Sequence, residues 1–484
     1  MYLGIDLGTS GVKALLMDGA QKVVATGHGD LDVARPHPGW SEQDPADWVR
    51  ATEEAIDALK ASHPRELAVV RGVGLSGQMH GATLIDDGDA VLRPCILWND
   101  TRSFVEAEAL DSQPDFRLLT GNIVFPGFTA PKLAWVRKHE SGLFARVRRV
   151  LLPKDYLRLW LTGEYISEMS DSAGTAWLDV ARRAWAPELL AATGMRVEQM
   201  PALVEGTEPA GMLRGELASR WGIAGNVVVA GGAGDNAASA CGMGTVRAGA
   251  AFVSLGTSGV LFAANASYLP NPRSAVHTFC HALPRAWHQM GVILSATDSL
   301  NWLSEIAGRS AADLTGELGD DLRAPGSVAF LPYLSGERTP HNDAAIRGSF
   351  TGLGHESGRA ALTQAVLEGV SFAFRDSLEA LRAAGTTLSR VTAIGGGSRS
   401  RYWLKSVATA LGVPVDIPAD GDFGAAFGAA RLGLIAAEGA DPLTVCTPPT
   451  TAETIEPDAR FSGAYDEAYG RYRALYPAIR GTMR

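Results

Sequence analysis

The sequence has few cysteines and no long hydrophobic run. Its four cysteines lie far apart and form no Cys-x-x-Cys pair, which is typical of small core thiols in a cytosolic protein. No stretch approaches the ~18 consecutive apolar residues that a membrane span requires. The N-terminal MYLGIDLGTSG also lacks the basic-then-apolar layout of a secretion signal. We therefore expect a cytoplasmic protein with no membrane partner.

Positive charge is also in deficit. The 484 residues include 43 Lys and Arg against 53 Asp and Glu, and the formal net charge of −10 argues against nucleic acid as the main partner. The composition, with 20% charged and 46% hydrophobic residues, is that of a globular protein. A chain of this length predicts about two to four domains. A homodimer is one assembly that the composition allows.

The usual nucleotide-binding signatures are missing. The chain contains no Gly-Lys dipeptide and hence no Walker A loop, and a dinucleotide fingerprint fails because Ala237 stands where the third glycine belongs. The tripeptide Asp422-Phe423-Gly424 has no HRD-type loop or glycine-rich kinase loop to accompany it. We interpret it as a helix start capped by Asp422. Gly424 and Gly428 then leave room for close packing against a sheet or an adenine.

A six-residue string, LGTSGV, occurs twice. Its copies, residues 7–12 and 255–260, are 248 residues apart, which is close to half of the chain. Apolar strands flank both copies, and the Gly-Thr-Ser-Gly centre supplies the backbone freedom of a tight hairpin turn. Two unrelated hairpins are the alternative, but a repeat at this offset indicates a duplicated architecture. No Pro- or Ser-rich linker marks the end of the first half near residues 241–249, so we expect a close interface with a cleft.

Each turn is also a candidate phosphate site. Its successive amides and two hydroxyls converge on a small concavity that suits an anion. The turns of the two halves would therefore hold a polyphosphate from both sides. The copies differ at the preceding position, where Asp6 in the first half offers a carboxylate to a metal ion and Ser254 in the second does not.

The remaining pattern is mixed α/β. In chain order the sequence predicts a helix over residues 45–61 after an Asp44 cap, strands over 67–75 and 90–98, a helix over 364–384 and a strand over 391–394. The segment HTFCH at 277–281 invites a metal interpretation. Because no second ligand pair occurs at zinc spacing, a structural loop is favoured there.

Two glycine-rich segments follow predicted strands. In VVVAGGAGDNAASA, a buried strand over residues 227–230 leads through glycines to Asp235 and Asn236. Asp235 is either the N-cap of the next helix or a catalytic acid or base at the carboxyl edge of a sheet, where open α/β folds keep their sites. In AIGGGSRSRYW, residues 395–397 allow the backbone to approach a flat or charged ligand, with a plain tight turn as the alternative.

Two longer segments carry a resemblance to a known family. GFTAPKLAWVRKH (127–139) and GSFTGLGHESGRAALTQAVLE (348–368) resemble the two signatures of the FGGY-type carbohydrate kinases, which include glycerol kinase, gluconokinase and xylulokinase. Ala361 departs from the pattern at a helix start, where a polar residue is usual. The resemblance covers nearly the whole chain and implies two duplicated actin-like ATPase domains, ribonuclease H-like in their α/β class, with an interdomain catalytic cleft. It implies a sugar-binding domain with the catalytic base over residues 1–242 and an ATP-binding domain over 243–484.

Within that family, five segments are most similar to the bacterial xylulokinase branch: HPGWSEQDP, SGQMHGATL, LWND, LPKDYLRLWLTGE and YLSGERTPHN. This likeness implies that D-xylulose is phosphorylated to D-xylulose 5-phosphate in xylose catabolism. It further implies that Met79 and His80 contact the ketopentose and that Asp235 accepts the proton. The other sugar neighbours that it implies are Asn236, Trp98, Asn99 and Asp100. The ordinary alternatives are a satisfied loop histidine for His80 and a core position for Trp98.

The remaining roles follow from the chemistry of phosphoryl transfer. A sugar hydroxyl is a weak nucleophile, so Asp235 would accept its proton while the γ-phosphoryl group of ATP is transferred in line. Asp6, together with Asp235, would hold Mg²⁺ through water. The expected ATP-binding residues lie in or beside the two turns and in the third glycine cluster: Gly8, Thr9, Ser10, Lys13, Gly256, Thr257, Gly396 and Gly397.

Two alternatives stay open from the sequence. Loops around a shared phosphorylation site set the choice of sugar, so ribulose or another ketose or polyol could be the acceptor. The second alternative is a non-kinase actin-fold ATPase that drives binding to another protein, as in the heat-shock chaperones. The QMHG loop and the lack of an extra peptide-binding domain after the second half argue against it.

Overall fold

The computed structural model describes residues 1–419, 421 and 423–482, so the predicted cap at Asp422 lies outside the described residues. The strands are β1 (Tyr2–Leu7), β2 (Gly11–Met17), β3 (Val23–Asp30), β4 (Glu42–Gln43), β5 (Gly72–Gly77), β6 (Thr83–Ile85), β7 (Cys95–Ile96), β8 (Arg149–Leu151), β9 (Ile166–Glu168), β10 (Leu178–Asp179), β11 (Ala184–Trp185), β12 (Ala202–Val204), β13 (Pro209–Met212), β14 (Val228–Ala230), β15 (Ala233–Gly234), β16 (Ala251–Leu255), β17 (Gly259–Asn265), β18 (His277–Cys280), β19 (Trp287–Ile293), β20 (Ala329–Leu331), β21 (Ser349–Thr351), β22 (Val391–Ile394), β23 (Val415–Pro418) and β24 (Thr451–Ile455).

The helices are α1 (Pro45–Ser62), α2 (Pro64–Leu67), α3 (Phe104–Asp111), α4 (Pro114–Thr120), α5 (Thr129–His139), α6 (Ser141–Phe144), α7 (Pro153–Thr162), α8 (Met169–Ser172), α9 (Pro187–Thr193), α10 (Gly215–Trp221), α11 (Asp235–Met243), α12 (Thr297–Ala307), α13 (Ala311–Leu318), α14 (Arg359–Ala383), α15 (Arg401–Leu411), α16 (Ala425–Glu438), α17 (Pro442–Val445) and α18 (Ser462–Arg480). In this described part of the chain, none of the helices combines the length and apolar character needed to cross a membrane.

Two seven-stranded sheets have the same internal plan. The first runs β13-β14-β5-β1-β2-β3, with β15 also paired to β5, and the second runs β24-β23-β22-β16-β17-β19-β18. Strand β1 is antiparallel to β2 and parallel to β5, just as β16 is antiparallel to β17 and parallel to β22. The copies of the repeated hexamer form the turns of the β1–β2 and β16–β17 hairpins. The predicted duplication of an α/β unit is therefore confirmed.

Local sequence signals set several elements where they were predicted. Asp44 caps α1 by accepting a hydrogen bond from the Ala46 amide, and Pro45 lies in the first turn, where its missing amide hydrogen costs nothing. Strand β22 has the predicted bounds, and β14 begins one residue later than predicted. The long helix α14 begins at Arg359, earlier than the predicted start.

Three predicted elements are wrong in part. Residues 67–75 begin with the last residue of helix α2, and strand β5 starts only at Gly72. Within residues 90–98 only the two residues of β7 form a strand, which starts after Pro94 because proline has no amide hydrogen for a ladder. The loop that the sequence favours at 277–281 is wrong, since most of this segment forms β18, the edge strand of the second sheet.

Helix α16, from the second half, covers one face of the first sheet. A Cβ atom on Gly4 would lie 1.9 Å from the Ala426 carbonyl oxygen, and one on Gly74 would lie 1.8 Å from that of Ala429. Only glycine therefore lets the helix backbone rest directly on β1 and β5. The hexamer offset places Phe252 of β16 at the position of Gly4, and Phe252 stacks on a neighbouring phenylalanine instead. The duplication is consequently asymmetric at this face.

Helix α11 crosses α16 through a second glycine contact. A Cβ atom on Gly428 would come within 1.8 Å of the Ala238 carbonyl oxygen in α11. The close packing that the sequence predicts for Gly428 is thus present, but the predicted partner, a sheet or an adenine, is wrong, because the contact is with helix α11. Because α11 begins at Asp235, this crossing fixes the helix that carries the candidate catalytic carboxylate.

One hydrophobic core crosses between the halves. Met79 from the first half belongs to the same buried cluster as Phe252 and Phe279 from the second. The Asn122 side chain also donates to the Thr278 carbonyl at 2.9 Å and accepts from the Thr278 amide at 2.8 Å. Edge strand β18 is therefore fixed to the first half.

Candidate active site

The turn of the first hairpin is held by side chains from two other segments. The Gly8 amide donates to the Gly11 carbonyl at 2.9 Å and closes the turn. The Thr9 carbonyl accepts from Gln43 Nε2 at 2.7 Å, and Thr9 Oγ1 donates to Gln78 Oε1 at 3.0 Å. The turn is therefore preformed, with its backbone position fixed before any anion binds.

Three further predicted residues lie beside this turn. Asp6 and Lys13 face each other in the register of the β1–β2 ladder. Ser10 is exposed at the tip of the turn. All three residues therefore lie on one hairpin, close to each other as the sequence predicts.

The turn of the second hairpin is anchored to the start of helix α12. The Gly256 carbonyl accepts from the Thr297 amide at 2.9 Å, and the Thr257 carbonyl accepts from the Ala296 amide at 2.8 Å. The side chain of Thr257 is exposed. Backbone carbonyls of both turns are thus held in place by hydrogen bonds from other segments. The difference predicted between them is also present, because Ser254 of β16 takes the place that Asp6 has in β1.

A cavity of about 610 Å³ lies next to the third glycine cluster. Gly396, Gly397, Thr297, Asn301 and Trp403 are among its lining residues. A Cβ atom on Gly397 would lie 2.9 Å from Leu255 Cβ and 3.1 Å from Thr297 Cγ2, so glycine is needed where this loop meets the second turn. The sequence did not point to Thr297 or Asn301, because no motif marks the start of α12.

Asp235 is the first residue of helix α11, and Gly234 is the N-cap. The N-cap interpretation of Asp235 is therefore wrong. Its Oδ1 accepts hydrogen bonds from the Asn236 amide at 2.6 Å and from Asn236 Nδ2 at 2.9 Å. Burial raises the pKa of Asp235 from its usual 3.8 to about 6, and the nearby charge of Asp6 adds to the rise. The carboxylate remains ionised at pH 7 and has the proton affinity that a general base needs.

His80 is held in an uncommon backbone conformation, with φ +69°. Its carbonyl accepts from Thr129 Oγ1 at 3.1 Å and from Lys132 Nζ at 2.8 Å. Its ring stacks on Phe128, with the centroids 4.7 Å apart. The backbone strain is thus balanced by two donors and a ring contact, a pattern found at functional sites.

The protonation state of His80 follows from its surroundings. Burial, followed by the charge of Lys132, lowers the pKa of His80 from its usual 6.5 to about 3, so the imidazole is neutral at pH 7. Nδ1 lies 2.6 Å from the Gly174 carbonyl oxygen, which can only accept. Nδ1 must therefore carry the hydrogen, which leaves Nε2 as an acceptor for a hydroxyl group.

Met79 brings this loop against Asp235. A Cβ atom on Gly234 would lie 3.1 Å from Met79 Sδ, so the methionine packs on the residue before Asp235. Another on Gly174 would lie 2.9 Å from Met79 Cε. Three sequence-predicted residues, Met79, His80 and Asp235, are thus gathered into one site. Gly174 and Gly234 lie against the two side chains, and only glycine leaves room for them there.

The Trp98–Asp100 segment has mixed surroundings. Trp98 is 47% exposed, so the core interpretation is wrong, and its Nε1 donates to Thr9 Oγ1 at 3.0 Å. Asn99 is half-buried. Asp100 is fully buried, accepting from the Ser41 amide at 2.6 Å and pairing with Arg102 at 2.7 Å. Trp98 therefore joins the segment to the first turn, whereas Asp100 is bonded within the protein.

The carboxylates at the site fit a magnesium ion that arrives with phosphates. The charge of Asp6 raises the pKa of Asp235, so the two carboxylates interact electrostatically. Across the described residues, no three or more His, Cys, Asp or Glu side chains group together as a metal site. Mg²⁺ usually binds one or two carboxylates, with waters and substrate phosphates as its other ligands. Asp6 and Asp235 offer that donor set.

Sequence reasoning missed residues that hold the predicted ones in place. Lys132 is fully buried and donates to both the His80 and the Gly127 carbonyl, and burial lowers its pKa to about 7. Its signal was present, because it lies inside the segment GFTAPKLAWVRKH. Gln78 directly precedes Met79 and bonds the first turn. Gly174 carries no motif that could have identified it.

Models of one family match both halves of the chain. The N-terminal domain of the FGGY family of carbohydrate kinases matches residues 1–242, and the C-terminal domain of the same family matches residues 251–437. The xylulose kinase of Escherichia coli (strain K12) is 50% identical over 484 residues, which is 99% of this chain and 99% of that protein.

Solved structures agree over the full length. A crystal structure of a "xyloylose kinase" from Brucella ovis has a TM-score of 0.99 and 69% sequence identity, and covers 99% of each chain. The xylulose kinase from Rhodospirillum rubrum has a TM-score of 0.93 at 30% identity, covering 100% of this chain and 99% of its own. The similarity therefore extends over both sheets and both glycine-rich turns.

Proposed function

Because the chain belongs to the FGGY family of carbohydrate kinases, we propose that it transfers the γ-phosphoryl group of ATP to D-xylulose, giving D-xylulose 5-phosphate in xylose catabolism. The observation that carries the proposal is the packing of the Met79–His80 loop on Gly234, the residue before Asp235. Half of the residues match the E. coli xylulose kinase over the whole chain, which supports the same acceptor. These similarities do not favour another ketose, a polyol, or a non-kinase ATPase.

Asp235 is the proposed general base. A hydroxyl oxygen of the sugar attacks the γ-phosphorus of ATP, its proton passes to a carboxylate oxygen of Asp235, and ADP leaves with the electrons of the broken P–O bond. A pKa of about 6 supports this role, since the group is ionised at pH 7 yet basic enough to accept a proton. The glycines before Asp235 leave room for both substrates.

The sugar would lie between the two loops of the first half. Nε2 of His80 accepts a hydrogen bond from a sugar hydroxyl, and Met79 provides an apolar wall. Asn236, Trp98, Asn99 and Asp100 complete the proposed surroundings. Because its carboxylate is bonded to Ser41 and Arg102, Asp100 acts by positioning its neighbours, while Trp98 links the sugar to the first turn.

ATP would bind mainly to the second half. We assign its nucleoside to the cavity beside Gly396 and Gly397, and its phosphates to the two hairpin turns. The residues assigned to the phosphates are Gly8, Thr9, Ser10, Lys13, Gly256 and Thr257. This division gives a sugar-binding domain over residues 1–242 and an ATP-binding domain over residues 243–484. The preformed turns support the assignment of the phosphates, because phosphoryl transfer depends mostly on the alignment of the reacting groups.

Magnesium would be held by Asp6 and Asp235 through water. When bound, the ion would neutralise charge on the phosphates. Asp235 must be reached by the sugar hydroxyl as well, so its contact with the ion is indirect. We place the reaction in the cytoplasm, where ATP is available and where thiols stay reduced, in keeping with the four buried free cysteines.

The test is Asp235→Asn combined with a panel of acceptors. This variant should keep ATP binding, measured by calorimetry, while kcat with D-xylulose falls by ~10² or more in a coupled ADP assay. The parent should have its highest kcat/KM with D-xylulose, a lower value with D-ribulose, and the lowest with glycerol and gluconate. Activity of the variant within a few-fold of the parent would remove Asp235 from the mechanism. A higher kcat/KM with ribulose or gluconate would change the acceptor.

A further inference from the structure

A cluster of buried polar side chains lies next to the loop that precedes Asp235. Its members are almost fully inaccessible to solvent and come from α7, β9 and α8: Lys154, Asp155, Arg158, Ser167, Glu168, Ser170, Asp171 and Ser172. The Lys154 ammonium is 2.7 Å from Asp155, 3.3 Å from Glu168 and 3.2 Å from Asp171. Such a dense group of charges is expensive to bury, and the proposed reaction uses none of it directly.

The cluster contacts the loop at both of its ends. The Arg158 guanidinium donates to the Gly231 carbonyl, and Ser170 Oγ accepts from the Gly234 amide at 3.1 Å. Gly231 and Gly234 are the first and last residues of the segment GGAG that leads into Asp235. The two side chains therefore fix the loop immediately before the proposed base.

The loop needs such support because its own conformational preference is weak. Three of its four residues are glycine, and glycine allows the backbone more conformations than any other residue does. Its other hydrogen bonds are made by backbone groups. The Gly231 amide donates to the Glu208 carbonyl at 2.8 Å, and the Gly232 amide donates to the Gly206 carbonyl at 2.9 Å. Arg158 and Ser170 thus hold the loop from the side of the charge cluster.

The charges fix Ser170 in turn. Glu168 accepts hydrogen bonds from the amides of Ser170 at 2.7 Å and Asp171 at 2.9 Å, so it caps α8 and sets where the serine hydroxyl lies. Lys154 lies against Glu168 and holds that carboxylate. A chain of contacts therefore runs from Lys154 through Glu168 and Ser170 to the Gly234 amide.

We propose that Arg158 and Ser170 are positioning residues that hold the residue 231–234 loop so that the Asp235 carboxylate meets the sugar hydroxyl in line with the phosphoryl group. This inference rests on the proposed role of Asp235. A displacement of a reacting group by about 1 Å can cost on the order of 10²-fold in rate. Loss of one loop contact should therefore affect kcat more than substrate binding.

Two serines of α8 provide a matched pair for the test. Ser170 and Ser172 are both fully buried on this short helix, and each loses one hydroxyl in a change to alanine. Ser170 bonds the loop, whereas the Ser172 hydroxyl bonds Ser167 at 2.8 Å. Ser170→Ala should lower kcat by about 10- to 100-fold with KM for ATP within twofold of the parent. Ser172→Ala should keep kcat within about threefold.

The split between kcat and KM gives a readout that a general loss of stability would not move. A looser loop misplaces the Asp235 carboxylate but leaves the ATP site intact, so kcat should fall in Ser170→Ala while KM for ATP does not rise. Arg158→Lys keeps the buried charge but loses the guanidinium geometry. It is the second variant in case Ser170→Ala does not fold, and it should also lower kcat without raising KM for ATP. Thermal unfolding of all variants controls for stability.

The outcomes separate this inference from the function on which it rests. Equal kcat and KM values in Ser170→Ala and Ser172→Ala would overturn the positioning role. Asp235→Asn is measured in parallel. Near-parental activity there refutes the base itself, whereas a loss of activity in Asp235→Asn with no specific effect of Ser170→Ala refutes only the positioning.

Discussion

Gly174→Ala adds one methyl group at the point where His80 and Met79 meet. The new Cβ would lie 2.5 Å from His80 Cε1, 2.6 Å from His80 Nδ1 and 2.9 Å from Met79 Cε. The φ angle of Gly174 is outside the left-handed region, so alanine can adopt its backbone conformation. The effect of the change should therefore come from contact with the two proposed sugar-binding side chains.

The size of the effect follows from these distances. Carbon atoms in contact prefer a separation of about 3.5 to 4.0 Å, so the imidazole has to move by about 1 Å. This movement lengthens the 2.6 Å hydrogen bond from Nδ1 to the Gly174 carbonyl, and a lost hydrogen bond costs about 0.5–1.5 kcal/mol. With the misalignment of Nε2 added, kcat/KM for D-xylulose should fall by about 10- to 100-fold. KM for ATP should stay within about twofold.

Initial rates in a coupled ADP assay, with each substrate varied in turn, measure both effects. Gly142→Ala is the control, because a Cβ atom at this glycine of the first half would have no neighbour within 4 Å. Thermal unfolding separates a local change from a loss of fold. A well-folded Gly174→Ala variant with parental kcat/KM for D-xylulose would refute the contact between His80 and the sugar.

The pH dependence should reflect Asp235. The base must be ionised and its pKa is about 6, so kcat should be maximal above about pH 7 and fall about tenfold per pH unit below 6; a level profile down to about pH 5 would exclude this base. Thr9→Val and Thr257→Val should each raise KM for ATP more than KM for the sugar in initial-rate measurements. An effect confined to the sugar would show that the turns are structural. Gly74→Ala places a methyl group 1.8 Å from a carbonyl oxygen of α16 and should lower the free energy of unfolding in urea by about 1–3 kcal/mol, whereas Gly19→Ala, with open space around it, should not.

The repeated hexamer predicts the fold well because turn chemistry is local. A Gly-Thr-Ser-Gly string between apolar strands encodes its own hairpin, and finding it twice predicts two related sheets. The cap at Asp44 is local in the same way and places α1 correctly. The prediction for residues 90–98 fails because short apolar runs do not show whether a partner strand is present, and most of this segment has none in the described structure.

The candidate site is predicted only in part, because its supports are distant in sequence. Asp235 and His80 lie in motifs that a resemblance can identify. Gly174 contacts His80 across 94 residues, and Ser170 reaches the Gly234 amide across 64 residues. Neither contact leaves a periodic or compositional signal. They arise from how α7, β9 and α8 pack beneath the loop, which only the tertiary structure determines.

The position of helix α16 has a consequence for how the molecule is made. Residues 425–438 cover the face of the first sheet that carries Tyr2, Leu15 and Met17, and they share one apolar cluster with that sheet. During synthesis the first half leaves the ribosome early, yet this face has to wait for a helix encoded near the end of the chain. The half that is translated first therefore completes its core last, and a fragment cut at residue 242 would expose this face to water.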